Sequence, residues 1–207
     1  LADQVAEVLR LVGLRAEYMR RYPHAFSGGE RQRIGLARAL ITRPRLVIAD
    51  EAVSALDVSV RSQILNLLED LQEEFDLTYI FVSHDLSVIQ HLCDRVAVMY
   101  VGRIVEQAPT AELYARPRHP YTETLLRAVP FPDPRLRGQR RRVPLRGEVP
   151  DPADPPHGCT FHPRCPYAED RCSAEEPSLL GVGPGKGDAL SRCHFADRLE
   201  LSGVGGG

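Results

Sequence analysis

The 207 residues contain no tryptophan, 2 methionines and a single lysine, Lys186, although Lys and Arg together number 26. Basic character is thus almost all arginine, which reads as a bias of base composition more than as chemistry. Against 28 Asp and Glu it leaves a net charge of −2, so no bulk field draws the chain to nucleic acid or to a membrane surface. No apolar run reaches the roughly 18 residues that a membrane-spanning helix needs. The opening LADQVAEVLRLVGL lacks the basic n-region and small-residue cleavage site of a secretory signal, and it starts with Leu rather than Met. A phosphate-binding Gly-x-x-x-x-Gly-Lys-Ser/Thr loop is also missing. The lone lysine sits in GVGPGKGD, one residue short in spacing, with Gly187 where a hydroxyl belongs and no strand before it; this reads as a plain loop.

What is present is ordinary for a globular chain: 43% apolar and 26% charged residues. Val5, Val8, Leu9 and Val12 recur with helical period within residues 3–21, and Gly13 ends that helix. A second helix follows Ser27 and runs to about Ile41, with Pro44 stopping it. RLVIADE (45–51) and TYIFVSH (78–84) read as buried strands of a parallel sheet. Between them, Ile64, Leu65, Leu67, Leu68 and Leu71 share one helical face. DLSVIQHLC reads as a short helix with Cys93 a buried core residue, and RVAVMYVGRIVEQ as a hairpin turning at Val101-Gly102. Strands alternating with helices imply an α/β fold. From about residue 108 proline becomes frequent, a basic run follows at 135–146, and four cysteines come after it, so this part reads as a separate appendage. The basic run lacks interleaved aromatics and has Asp133, Glu148, Asp151 and Asp154 around it, as a solvated linker would. The terminal SGVGGG reads as disordered.

Ser27 and Glu30 are spaced as a capping box, in which each side chain satisfies one orphan backbone N–H. Gly28 and Gly29 lie inside that first turn, where glycine costs about 1 kcal/mol against alanine. A bare backbone at a helix N-terminus suits an anion such as phosphate; an ordinary capped helix with a tight entry explains it equally.

The wider stretch, Ser27-Gly28-Gly29-Glu30 followed by RQRIGLARAL, resembles the signature motif of ATP-binding cassette (ABC) ATPases. Phe26 stands where that family usually has Leu, and Glu30 where it has Gln. LVIADE resembles a Walker B strand. The resemblance implies that Asp50, at the strand's C-terminal edge, holds Mg²⁺ through water and that Glu51 polarises the attacking water. Ser54, Ala55, Leu56 and Asp57 resemble the D-loop that follows, with Ala52 where the family has Pro. His84, at the end of the next strand, resembles the switch histidine that contacts the γ-phosphate. The order and spacing of these motifs make the match specific. The P-loop and glutamine loop that should precede them are absent from these residues, so the expected chain is N-terminally truncated, corresponding to the last two-thirds of an ATPase subunit.

ARPRHPYTETLLRAVP (115–130) resembles the His-Pro-Tyr segment of oligopeptide, dipeptide and nickel importers; read alone, it is a helix started by Pro120. The tail GCTFHPRCPYAEDRC and RCHFA resemble the same branch. Cys159, Cys165, Cys172 and Cys193 are spaced C-x5-C-x6-C-x20-C, which fits neither zinc ribbons nor the ferredoxin run. Some members of the similar family carry a 4Fe–4S cluster at such cysteines; zinc, free thiols and redox disulfides stay open beside it.

The expected architecture is a partial P-loop NTPase-like ABC core, a mostly parallel sheet with helices, over residues 1–107. A cysteine-containing irregular extension would follow over 108–196 and a flexible tail over 197–207. The resemblance implies ATP and Mg²⁺ as cofactors and a second ABC ATPase subunit as partner, a copy or a paralogue. It also implies membrane permease subunits, indirectly a periplasmic or extracellular solute-binding protein, and no nucleic acid. The place would be the cytoplasmic face of a bacterial or archaeal membrane, and the work import of peptides, nickel or related solutes. The alternative is an inactive remnant, or a cluster-bearing module that docks on an intact ABC subunit. A soluble ABC ATPase of DNA repair is disfavoured by the His-Pro-Tyr segment and by the lack of a long coiled coil.

Overall fold

Helix α1 (Ala2–Leu11) buries Ala6 and Leu9 and ends in a Schellman motif: Gly13, at φ +72°, donates to the Arg10 carbonyl and Leu14 to that of Leu9. The computed structural model describes residues 1–54, 56–128, 147–183 and 187–204. Ala55, the basic run at 135–146 and Lys186 lie outside the described residues. The chain divides into two compact units, Leu1–Leu92 and Cys93–Gly207.

In the first unit, α2 (Gly28–Leu40) leads to β1 (Leu46–Asp50), α3 (Val58–Phe75), β2 (Thr78–Val82) and α4 (Leu86–Leu92). Strands β1 and β2 pair in parallel, from Leu46 opposite Thr78 to Asp50 opposite Val82, with α3 as the crossover. Asp57 caps α3 by accepting the Val60 N–H at 3.0 Å. Leu9, Val12, Ala37, Leu40, Leu71 and Leu77 form one apolar cluster, and Val53, Ile64, Leu65, Leu68 and Val88 another. Tyr79 donates to the Leu68 carbonyl at 3.1 Å, and burial pushes its phenol up to about 12.

The two strands read as buried on both faces are covered on one only. Val47 and Ala49 are buried, while Ile48 is 66%, Ile80 49% and Val82 48% exposed. A continuous apolar run permits two-sided burial, but coverage depends on what packs there, and the described helices of this unit cover only the Val47–Ala49 face.

The second unit opens with β3 (Arg95–Tyr100) and β4 (Arg103–Pro109), an antiparallel hairpin. Its turn residues Val101 and Gly102 have φ of 46° and 71°, the pair of left-handed positions that matches strand twist. The sheet continues to β6 (Leu190–Ser191) and β5 (Leu180–Gly181) in the order β3-β4-β6-β5. Helices α5 (Thr110–Ala115), α6 (Pro120–Ala128) and α7 (Asp170–Ala174) complete the unit. Parallel pairing is thus confined to β1 and β2 among the described residues, and the hairpin groups with the cysteine-bearing half rather than with residues 1–92.

Two local expectations fail. Cys93 is only half-buried. The end of the chain is held as far as Val204: Ser202 donates its N–H to Glu123 at 2.8 Å and Val204 to the Tyr114 carbonyl at 2.7 Å. Buried acceptors on other elements override the loop-like composition there.

Candidate functional site

Ser27 and Glu30 form the reciprocal box at the start of α2: Ser27 N–H to Glu30 at 2.8 Å and Glu30 N–H to Ser27 Oγ at 3.3 Å. The Ser27 backbone bond holds the Glu30 carboxyl below its usual range. The two glycines of this turn face the start of α3. A Cβ on Gly29 would lie 2.6 Å from Val60 Cγ1, closer than side chains pack, whereas one on Gly28 would meet Leu56 only at 3.8 Å. The bare backbone at Gly29 is therefore demanded by a neighbour within the same unit, whatever else it serves.

Asp50 is exposed at the C-terminal end of β1. The next residue, Glu51, turns out of the strand at φ +49°, held by its N–H on the Val82 carbonyl at 2.9 Å. Ser54 Oγ returns to the Glu51 carbonyl at 3.0 Å. His84 comes from the loop after β2, and its Nδ1 lies 2.9 Å from Glu51 Oε1. That hydrogen bond is the main reason the Glu51 carboxyl sits below its usual range. An ionised carboxylate only accepts, so Nδ1 carries the proton and Nε2 is the ring's acceptor nitrogen. Parallel register does the placing, since Asp50 and Val82 are partners and the next residues of both strands emerge at one edge.

Sequence reading missed the support around this pair. Arg61 on α3 meets Asp85 at 2.6 Å and the Leu56 carbonyl at 3.3 Å. Asp85 donates its N–H to Ser83 Oγ across His84 and accepts from Ser87, which lowers its own carboxyl. No local pattern reveals a contact spanning 24 residues.

In the second unit the His-Pro-Tyr segment is a helix start built on a buried strand. Glu106 on β4, fully buried, accepts the N–H groups of Arg118 at 2.6 Å and His119 at 2.8 Å. Desolvation still pushes its carboxyl up to about 7. His119 is itself buried and takes the Tyr121 N–H on Nδ1 at 3.1 Å; desolvation drives it down to about 3, so it is neutral. Tyr121 packs on Tyr100 and Phe161, with ring centroids 4.6 and 5.4 Å away.

Cys159, Cys165, Cys172 and Cys193 all line one small cavity beside His119 and Phe161. Burial raises the thiols of Cys159, Cys165 and Cys193, Cys165 to about 12 and Cys193 to about 11, so these three stand as neutral thiols. As donors, four thiols suit a thiophilic group. The free space is about 10 Å³, enough for one water and too little for a cluster. Among the described residues no three His, Cys, Asp or Glu side chains are arranged to hold a metal ion. The expected 4Fe–4S cluster thus finds no support in the geometry.

Two family descriptions match: "ABC transporter" over residues 2–54 and "Oligopeptide/dipeptide transporter, C-terminal region" over 105–172. A protein of Sinorhizobium fredii named as a probable peptide ABC transporter ATP-binding protein is 58% identical over 192 residues, 93% of this chain and 53% of that one. The chain resembles the ATP-binding subunits of ABC transporters along most of its length. An oligopeptide transport ATP-binding protein of Bacillus subtilis is 54% identical over 182 residues, 88% of this chain and 55% of the relative. The chain thus spans about half the length of the curated relatives it matches. Two solved structures share the fold. One is the ATP-binding cassette of an ABC transporter in its ADP conformation, at TM-score 0.53 and 20% identity, covering 61% of this chain and 50% of that one. The other is an inward-facing ABC transporter of metal-chelate type, at TM-score 0.54 and 24% identity, covering 62% and 49%. Among the described residues no helix is long and apolar enough to cross a membrane.

Proposed function

We propose that the chain supplies the signature, Walker B, D-loop and switch-histidine part of an ATP-hydrolysing subunit that powers peptide import. The observation that carries this reading is the Glu51–His84 pair, 2.9 Å apart at the C-terminal edge of two parallel strands, where ligands of open α/β sheets bind. Asp50 would hold Mg²⁺, which would neutralise charge developing on the phosphates. Glu51 accepts a hydrogen bond from the attacking water, and His84 presents its other ring nitrogen to the γ-phosphate. Ser27, Gly28, Gly29 and Glu30 face the nucleotide of a second ABC ATPase subunit, a copy or a paralogue. Closure of that pair drives permease subunits at the cytoplasmic face of the membrane, fed by a solute-binding protein outside; peptides are the cargo class that the named relatives favour over nickel. In this division residues 1–107 serve the nucleotide and 108–196 form the branch-specific extension.

The test mixes the chain with an intact ABC ATPase subunit and measures turnover. The 207 residues hold no P-loop, so the chain alone binds a fluorescent ATP analogue poorly, and low-micromolar affinity would overturn the reading. On mixing, Gly28→Asp abolishes the gained activity, because a carboxylate then meets phosphate at close range. Glu51→Gln changes it little, since Glu51 serves the half-site without a P-loop. Equal loss from both refutes the assignment of half-sites, and no gain on mixing supports the inactive remnant.

A further inference from the structure

Between the two loops of the Glu51–His84 site lies a side chain that touches both. Arg61, in the first turn of α3 and half-buried, places Nη1 2.6 Å from Asp85 Oδ2 and Nη2 3.3 Å from the Leu56 carbonyl. Leu56 belongs to the loop that leaves Glu51, and Asp85 directly follows His84. The loop around His84 has its own closure, with the Asp85 N–H on Ser83 Oγ at 3.0 Å and Asp85 Oδ1 accepting the Ser87 N–H at 3.1 Å. Those bonds shape the loop but do not fix its distance from Glu51. A planar fork of two nitrogens can set that distance, whereas the ammonium of lysine would have to serve both partners from one point on a flexible stem. One residue earlier, Val60 abuts Gly29 of the α2 start, so Arg61 stands where the turn that bears the glycines meets both loops.

We propose that Arg61 is a positioning residue for the Glu51–His84 pair, joining the Leu56 carbonyl to Asp85 so that His84 Nδ1 is kept against Glu51. The proposal rests on the reading of this edge as a hydrolytic site, but its test needs no turnover. In the ionised-carboxylate geometry His84 must carry its proton on Nδ1. Long-range ¹H–¹⁵N correlation spectra of the 207-residue chain, in mildly alkaline solution, read which ring nitrogen is protonated. The wild type shows His84 mainly as the Nδ1–H form. Arg61→Gln and Asp85→Asn, which break the fork from opposite ends, both shift it toward Nε2–H, and Arg61→Lys shifts it less. Leu71→Ala, a cavity in the core of the same unit, is the control: it lowers stability and leaves the His84 tautomer as in the wild type. Either fork variant alone decides the matter if the other fails to fold. The proposal is overturned if they keep the wild-type Nδ1–H share, if Leu71→Ala shifts it as far, or if the wild type is already Nε2–H. Loss of turnover on mixing bears on the proposed function and leaves the tautomer result intact, so the two ideas fail separately.

Discussion

At the scale of single residues, Gly29 shows how one position is constrained from inside the fold. Its missing Cβ makes room for Val60, which would otherwise stand 2.6 Å from it. Gly29→Ala is therefore expected to lower stability by about 1–3 kcal/mol, the usual cost of overpacking, in spite of alanine's better helix propensity. Urea unfolding measures this. Val60→Ala in the same chain should recover most of the loss, because it removes the methyl groups that clash. Were Gly29→Ala neutral or stabilising, the glycine would have to be explained by an external ligand alone. Glu51 is the other telling residue. Its left-handed φ of +49° is unusual for a side chain of that size and is held by bonds to Val82 and Ser54. Such local strain concentrates where geometry serves chemistry.

At the scale of elements, the start of α6 joins two buried groups with opposite responses to pH. Glu106 caps the segment and has its carboxyl raised by desolvation to about 7, while His119 is lowered by desolvation to about 3. A raised acid stabilises the fold below its unfolded value near 4.5 and loses that contribution as pH rises through 7. A lowered histidine stabilises it above its unfolded value near 6.5 and loses that contribution as pH falls toward 3. Between these unfolded values the two nearly cancel, since unfolding frees one proton at Glu106 and takes one up at His119. Below roughly pH 4.5 only His119 still acts, so stability falls by about 1.4 kcal/mol per pH unit on its account. His119→Gln should remove one proton's worth of that acid slope, and Glu106→Gln should remove the decline near neutrality. Unfolding free energies measured across pH 3 to 8 check both, and unchanged slopes in the two variants would show that the groups are not buried as described.

At the scale of the whole molecule, the outer face of the β1–β2 pair is an exposed apolar patch among the described residues. Leu46, Ile48, Ile80 and Val82 are between 47% and 66% exposed on one side of a two-stranded parallel sheet. Parallel sheets are ordinarily covered on both faces, and uncovered apolar patches promote association. The 207-residue chain is expected to self-associate at moderate concentration. Ile48→Thr with Ile80→Thr should reduce the association without loss of the fold, because both side chains point away from Val47 and Ala49. Light scattering against concentration, beside circular dichroism, gives the answer; equal scattering from the double variant would place the sticky surface elsewhere.

What the sequence determined by itself was everything governed by neighbours along the chain. The Ser27–Glu30 box, the apolar stripe Ile64–Leu65–Leu68–Leu71 and the Val101-Gly102 turn all follow from local sterics and hydrogen bonding, and each was legible. Motif spacing likewise marked Asp50, Glu51 and His84 as candidates. Tertiary structure decided what depends on residues distant in the chain. Parallel pairing brought Glu51 and His84 to 2.9 Å, and α3 delivered Arg61 to Asp85. Burial turned His119 from a motif letter into a neutral helix-start anchor on Glu106's strand, and buried Glu123 captured a tail whose glycines read as free. Apolar patterning says which strand residues prefer to leave water. Only the packed fold says that Val47 and Ala49 do so while Ile48 and Ile80 do not, because burial is set by the element that arrives on that face.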